Sequence, residues 1–327
     1  MESVLEQLEG GSRVAVVRLR SLGDCVLTTP ALEILKRSRP DLQIAVVAED
    51  PFREIFLGNP DLDEVLPPRL RALRSWRPDL CINFHGGTRS ARLTALSGAR
   101  FRAGFGHYRQ PFVYNVRIPR AQEILGIERK VHTAEHLASA VFYLGVDQCE
   151  IPRAKLVADR TSDEVRPCAV IHPFATGEGK AWPAECFQTV AEHLNKSSMD
   201  VVVIGSAQDF VGQTPWSARD AHLPPGRRPA WGPAADQGGC PTKILAGAPL
   251  SEIKRLLSGA TLFLGNDSGP AHMAAAFGLP VVVLFGTSDP DIWAPWRTPS
   301  EVLASKDITG IEVSQVLDAL ARLRVHA

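Results

Sequence analysis

Three short stretches of this 327-residue chain carry side chains whose types and spacing suit work on hydroxyls and phosphates. The first is Arg18-Leu-Arg-Ser-Leu-Gly-Asp24, directly after the apolar run Val14–Val17. Gly23 permits a tight turn, and a carboxylate at the start of the next helix can take the proton of an acceptor hydroxyl. Asp is also a favoured helix cap, and spacing alone leaves both roles open. The second stretch is His172-Pro-Phe-Ala-Thr-Gly-Glu-Gly-Lys180-Ala-Trp-Pro183, with Pro183 suited to a first helical turn. Lys180 and the glycine-rich backbone before it can hold phosphate oxygens through charge-assisted hydrogen bonds, each worth about 1.5–3 kcal/mol. It is not a Walker A loop, because Phe174 occupies the first glycine position and Ala181 replaces the Ser or Thr after the lysine. The structural alternative is a flexible loop with a solvated lysine. The third stretch is Leu264-Gly-Asn-Asp-Ser-Gly-Pro-Ala-His272. A helix entered through Gly269-Pro270 offers free N–H groups and its positive dipole end to an anion. Asp267 would repel a phosphate and is assigned to sugar hydroxyls, while Ser268 and the helix start face a diphosphate. His272, one turn in, has the ordinary alternative of a packed or capping histidine.

All three loops require a strand before them and a helix after them, and the hydrophobic pattern supplies both. β-branched runs recur at 14–17, 44–47 and 79–84, and again at 169–171, 201–204, 261–264 and 280–285. Between them lie segments of helical period, such as Pro30–Arg37, which Pro40 terminates. Near-continuous apolar strands alternating with helices imply parallel sheets covered on both faces. The predicted fold class is therefore α/β, with two doubly wound Rossmann-like domains, 1–160 and 161–327, parted in the polar, aperiodic stretch 155–167. In such folds ligands sit beyond the carboxyl ends of the strands, where the three loops fall. Gln213–Thr242, rich in Pro and Gly, lacks period and reads as an insertion.

Composition narrows the function classes. Hydrophobic residues make up 45% and charged residues 22%, as in an ordinary globular protein. No uncharged apolar run approaches the roughly 18 residues of a membrane span, and the N-terminus lacks the pattern of a signal peptide. Six scattered cysteines without a C-x-x-C pair fit a reducing cytosol. The net charge of zero hides an asymmetry: residues 69–120 hold eleven arginines and one acid, Asp79. Such a block attracts a phosphorylated or carboxylated partner or an anionic membrane face, or is simply a solvated surface. It comes without the motifs of a nucleic-acid binder. His132-Thr-Ala-Glu-His136 matches an inverted zinc-peptidase pattern with both histidines on one helical face, but no third ligand follows, and no metal site is expected. Gly104-Phe-Gly-His-Tyr-Arg109 lacks the third glycine of a dinucleotide fingerprint, which argues against a nicotinamide oxidoreductase.

Taken together the loops resemble glycosyltransferase family nine, the ADP-heptose:lipopolysaccharide heptosyltransferases. The resemblance rests on R-L-x-S-L-G-D-x-x-L-T-T-P at Arg18–Pro30, on H-P-(x)n-K-x-W-P at His172–Pro183, and on the long signature from Gly265 to Pro290. Weaker similarity runs through 79–90 and 132–145. It implies a GT-B architecture with the acceptor domain first, the donor domain second and the site in the cleft. It also implies a cytoplasmic, cofactor-free, inverting and metal-independent transfer from ADP-heptose to an anionic, lipid-linked saccharide. That lipid acceptor and the arginine-rich first domain together point to peripheral contact at the inner face of the inner membrane. Asp24 would be the base. Thr176 and Lys180 would contact the donor diphosphate, Asp267 the heptose, and Ser268, Gly269 and His272 would complete the donor pocket. Arg89 and Ser21 would serve the acceptor. Another nucleotide sugar or glycan acceptor, or a non-catalytic sugar-nucleotide binder, would share the fold. Two features depart from the family pattern: Phe174 stands where Gly is common, and 213–242 is long for the segment that helps to wall the nucleotide. Gln208 and Asp209 are both candidates for the ribose.

Overall fold

The structure, a computed structural model, describes residues 2–158, 168–210 and 242–324. It divides into two compact units. The first holds residues 2–158 with 275–278 and 289–298, and the second holds the other described residues.

The first unit alternates strand and helix: β1 (Arg13–Val17), α1 (Leu22–Ser38), β2 (Gln43–Val47), α2 (Asp50–Arg53), β3 (Glu64–Leu66), α3 (Leu70–Trp76), β4 (Leu80–Asn83) and α4 (Thr88–Leu96). It continues with β5 (Phe101–Phe105), β6 (Val116–Ile118), α5 (Ala121–Leu125) and α6 (Thr133–Leu144). The sheet order is β3-β2-β1-β4-β5-β6, and every pairing is parallel. Val14–Val17 and Ile44–Val47 are fully buried, as strands covered on both faces must be.

The helix expected to start at or near Asp24 begins at Leu22 and carries Pro30 inside it. Proline cannot donate to the carbonyl of Val26, but Thr29 Oγ1 donates to that oxygen at 2.8 Å in its place. The same hydroxyl accepts the backbone N–H of Lys155 at 2.8 Å. Lys155 Nζ meets Glu33 at 2.9 Å and Asp61 at 2.8 Å, so the polar stretch starting at Lys155 is anchored to the first unit at its beginning.

The second unit contains β7 (Cys168–His172), α7 (Ala184–Lys196), β8 (Asp200–Gly205), β9 (Lys243–Ala246), α8 (Leu250–Gly259) and β10 (Leu262–Asn266). It goes on with α9 (Gly269–Ala276), β11 (Val281–Phe285), α10 (Pro290–Trp293, in the segment grouped with the first unit), β12 (Ser300–Ala304) and α11 (Val313–Arg324). Its sheet is β12-β11-β10-β7-β8-β9, again parallel throughout. Trp182, Phe187 and Leu194 pack with Leu264, Leu284 and Leu320 in its core. Counted within its unit, each sheet has the order 3-2-1-4-5-6. The order in which strands are added therefore reverses between β1 and β4 in one unit and between β7 and β10 in the other, the two places where a doubly wound sheet opens a ligand crevice.

Candidate active site

Each of the three loops lies at one of these switch points, and together with the β4 loop they make two clusters, one in each unit. In the first unit β1 runs into Arg18, which is 5% exposed. Asp24 is the third residue of α1, and Ser21 stands at the cap position. Asp24 therefore does not cap the helix. Ser21 Oγ donates to Asp24 Oδ2 at 2.9 Å and Arg18 Nη1 donates to Oδ1 at 3.2 Å. A carboxylate in a first helical turn also lies in the positive end of the dipole. With its side chain 24% exposed, it remains reachable from solvent. Arg18 Nε is buried and makes no hydrogen bond.

Across the switch point, β4 delivers His85, which the sequence reading passed over. Its Nδ1 lies 3.2 Å from the carbonyl oxygen of Arg20. A carbonyl only accepts, so Nδ1 carries the hydrogen and Nε2 keeps its lone pair. Burial, with Arg18 adding to it, lowers the His85 pKa and favours this neutral form. The signal in the sequence was His85-Gly86-Gly87. Gly86, at φ +74°, lies under the Tyr108 ring, which a Cβ would approach to 2.9 Å. Arg89, the second residue of α4, is exposed, but its charge is already met by Glu49 Oε1 at 2.6 Å.

In the second unit Asn266, fully buried at the end of β10, ties down the loop that carries Lys180. Its Oδ1 accepts from the Trp182 N–H at 3.0 Å, and its Nδ2 donates to the Pro173 carbonyl at 2.8 Å. Thr287 N donates to the Gly179 carbonyl at 3.3 Å. The loop bends through Gly177 and Gly179, both in the left-handed region. This scaffold brings Lys180 Nζ to 4.0 Å from Asp267 Oδ2, next to the N-terminus of α9. Ser268 Oγ lies 3.1 Å from His172 Nδ1, and burial pushes the His172 pKa down to about 4. Gly269 opens α9, Thr176 is exposed on the loop, and His272 is buried at 4% exposure. A cation, an acid and a helix N-terminus thus converge where an anionic group and a hydroxylated group can bind side by side.

Phe174 has a packing role. It covers Gly205, where a Cβ would come within 2.6 Å of its ring, and meets Phe210 edge-on at 5.0 Å. Asp209 Oδ2 accepts the Ser206 N–H at 2.7 Å, whereas Gln208 is exposed. The 213–242 insertion lies outside the described residues except for Thr242, as does the stretch 159–167.

The inverted zinc-peptidase pattern dissolves. His132 is the N-cap of α6 and does not share a helical face with His136. Its Nδ1 accepts the Ala134 N–H at 3.1 Å, and its Nε2 lies 2.9 Å from the Ala294 carbonyl. Both nitrogens are thus engaged. Among the described residues no cluster of His, Cys, Asp and Glu has the arrangement of a metal site. Gly104 lies in β5 and is glycine for packing, because a Cβ there would come within 2.6 Å of the Tyr114 ring. His136 stacks on Phe105 at 3.9 Å beside a cavity of about 330 Å³, lined in part by His107, Arg120 and Gln122.

The model of glycosyltransferase family 9 (heptosyltransferase) matches residues 69–316, well over half the chain. The chain belongs to this family and is a glycosyltransferase. Lipopolysaccharide heptosyltransferase 3 of Escherichia coli K12 is 27% identical over 310 residues, covering 85% of this chain and 83% of its own. The crystal structure of a family 9 glycosyltransferase from Veillonella parvula superposes with a TM-score of 0.79 at 20% identity, over 98% of this chain and 99% of that one. E. coli ADP-heptose lps heptosyltransferase II gives 0.76 at 20% identity, over 96% and 99%. These likenesses over nearly the whole length make the fold GT-B type.

Proposed function

We propose that this chain transfers a heptose from ADP-heptose to the inner core of lipopolysaccharide, with inversion at the anomeric carbon and without a metal. The observation that carries the reading is Lys180 within 4.0 Å of Asp267 beside the N-terminus of α9, a charge arrangement suited to a sugar diphosphate. It is supported by the family and by the activities for which the E. coli relatives are named. In this reading residues 1–160 take the acceptor and 161–327 the donor, on the cytoplasmic side of the inner membrane and in peripheral contact with it.

Asp24 accepts the proton of the acceptor hydroxyl, whose oxygen bonds to the anomeric carbon on the face opposite the diphosphate. The carbon–oxygen bond to the diphosphate breaks, and its electron pair leaves with ADP. Lys180, Thr176 and the N–H groups of Ser268 and Gly269 stabilise the charge growing on the leaving group, while Asp267 holds heptose hydroxyls. Buried His272 backs the helix that bears them. Arg18 and Ser21 hold Asp24 toward the acceptor, and Ser21 also borders it. Arg89 reaches an anionic acceptor by exchanging Glu49 for it, and Arg120 in the neighbouring cavity is a second cation for that purpose.

The test is ADP release and product NMR with ADP-heptose and a core oligosaccharide, in EDTA. Asp24→Asn should lower turnover by roughly 10²–10⁴ while keeping donor affinity, and Lys180→Ala should weaken ADP-heptose binding. Normal turnover by Asp24→Asn would refute the base assignment. Loss of activity in EDTA would refute metal independence, and preference for a UDP-sugar would change the donor.

A further inference from the structure

The turn of 3-10 helix at Pro111–Val113 holds Phe112 out in solvent, 74% exposed, the most exposed large apolar side chain among the described residues. The ring is not there for want of order beneath it. Arg102 Nε donates to the Val113 carbonyl at 3.2 Å, and its Nη1 donates to that of Ala99 at 3.3 Å. Asn115 accepts the Arg102 N–H at 2.7 Å and donates to the Arg100 carbonyl at 2.8 Å. The turn packs against α4, where Arg92 and Leu96, four residues apart, share an exposed stripe. Arg100, Arg109 and Arg117 are exposed nearby in sequence and sheet. None of these four arginines has a carboxylate partner among the described residues, and the one acid of the stretch, Asp79, is turned to the backbone N–H of Arg13 at 2.8 Å.

We infer that this face of the first unit, Phe112 and Leu96 among Arg92, Arg100, Arg109 and Arg117, docks on an anionic phospholipid bilayer. Unpaired arginines alone would suit any polyanion. The stretch lacks the motifs of a nucleic-acid binder, and a solvent-held aromatic ring with an exposed leucine matches the boundary between headgroups and acyl chains. Arginine stems can lie along that boundary with their charges at the phosphates. The inference deepens the proposed function by naming the surface that meets the membrane, and it rests on that reading only for why a membrane is nearby.

The test is co-sedimentation of the full-length protein with vesicles of phosphatidylcholine, with and without phosphatidylglycerol. Binding should require phosphatidylglycerol and fall with salt. Neutralising an arginine weakens it about fivefold, so Arg92→Gln with Arg100→Gln costs roughly 25-fold. Phe112→Ser should cost about tenfold. These side chains are exposed, and unchanged circular dichroism together with unchanged turnover on a water-soluble core acceptor would show the fold intact. Equal binding by variants and parent, or no anionic-lipid binding by the parent, would overturn the inference. A Phe112-dependent dimer in size-exclusion chromatography, with no lipid binding, would also overturn it by making the face a contact between copies. Lipid binding by a parent that fails to turn over ADP-heptose would leave the surface standing and sink the functional reading instead.

Discussion

Gly286→Ala adds one methyl group beside the Lys180 loop at a point where there is no room for it. Gly286 follows β11, and a Cβ there would lie 1.8 Å from the carbonyl oxygen of Gly179. Separations below 3.0 Å are essentially never seen, so the two backbones must part by more than an ångström. The strand will not be the one to move. Val281–Phe285 are buried, and Val281–Leu284 are paired on both sides, whereas Gly177 and Gly179 belong to an exposed loop. The loop therefore shifts, stretching the Thr287–Gly179 hydrogen bond and carrying Lys180, the next residue, with it. Overpacking of this kind costs about 1–3 kcal/mol, or about 2–4 °C in Tm per kcal/mol for a domain of this size. Losing a hydrogen bond from a charged group costs about 1.5–3 kcal/mol, or about 10- to 100-fold in affinity. Calorimetric titration with ADP-heptose should show at least about tenfold weaker binding, by that same scale, with the melting temperature lowered by several degrees. Gly310→Ala, which meets only Ser305 Oγ at 3.9 Å, should change neither. Parental donor affinity in Gly286→Ala would refute the claim that this close approach positions Lys180.

Asn266→Ala strands the buried Trp182 N–H and Pro173 carbonyl. It should destabilise by about 2–5 kcal/mol in urea unfolding and weaken ADP-heptose binding as well. Thr29→Val keeps the shape but removes the partner of the Val26 carbonyl and of the Lys155 N–H. It should cost about 2–4 kcal/mol of stability and leave turnover per folded molecule unchanged, as active-site titration would show. Burial holds His172 and His136 near pKa 4 in the folded chain, against an ordinary 6.5. Their contribution is therefore complete above about pH 6.5 and is lost as the pH falls toward 4, because the unfolded chain binds the protons more readily. Each histidine contributes a slope of at most about 1.4 kcal/mol per pH unit, and urea unfolding of His172→Asn across this range should show a shallower dependence than the parent.

How much of the site could be read in advance varied with the range of the interaction. The strand-to-helix placement of Asp24, Lys180 and Asp267 followed from short apolar runs broken by Gly and Pro, signals contained within a few residues. Helix α1 runs on through Pro30 because the neighbouring Thr29 hydroxyl donates to the Val26 carbonyl that proline leaves without a partner. His132 was set on one helical face with His136 because a spacing in sequence does not say where a helix starts, and at the cap position its ring turns back on the backbone.

Two doubly wound α/β halves and their strand-to-helix loops are legible in the chain itself, because hydrophobic period, β-branching and turn residues act locally. The partners of individual side chains are set by folding. Glu49 neutralises Arg89 from 40 residues away, Asn266 fastens a loop 93 residues earlier at Pro173, and Phe174 finds its place against Phe210 and Gly205. Such meetings depend on strand order, which sets which carboxyl-end loops become neighbours. That order is chosen by the burial of whole sheets, and no short spacing in the chain encodes it.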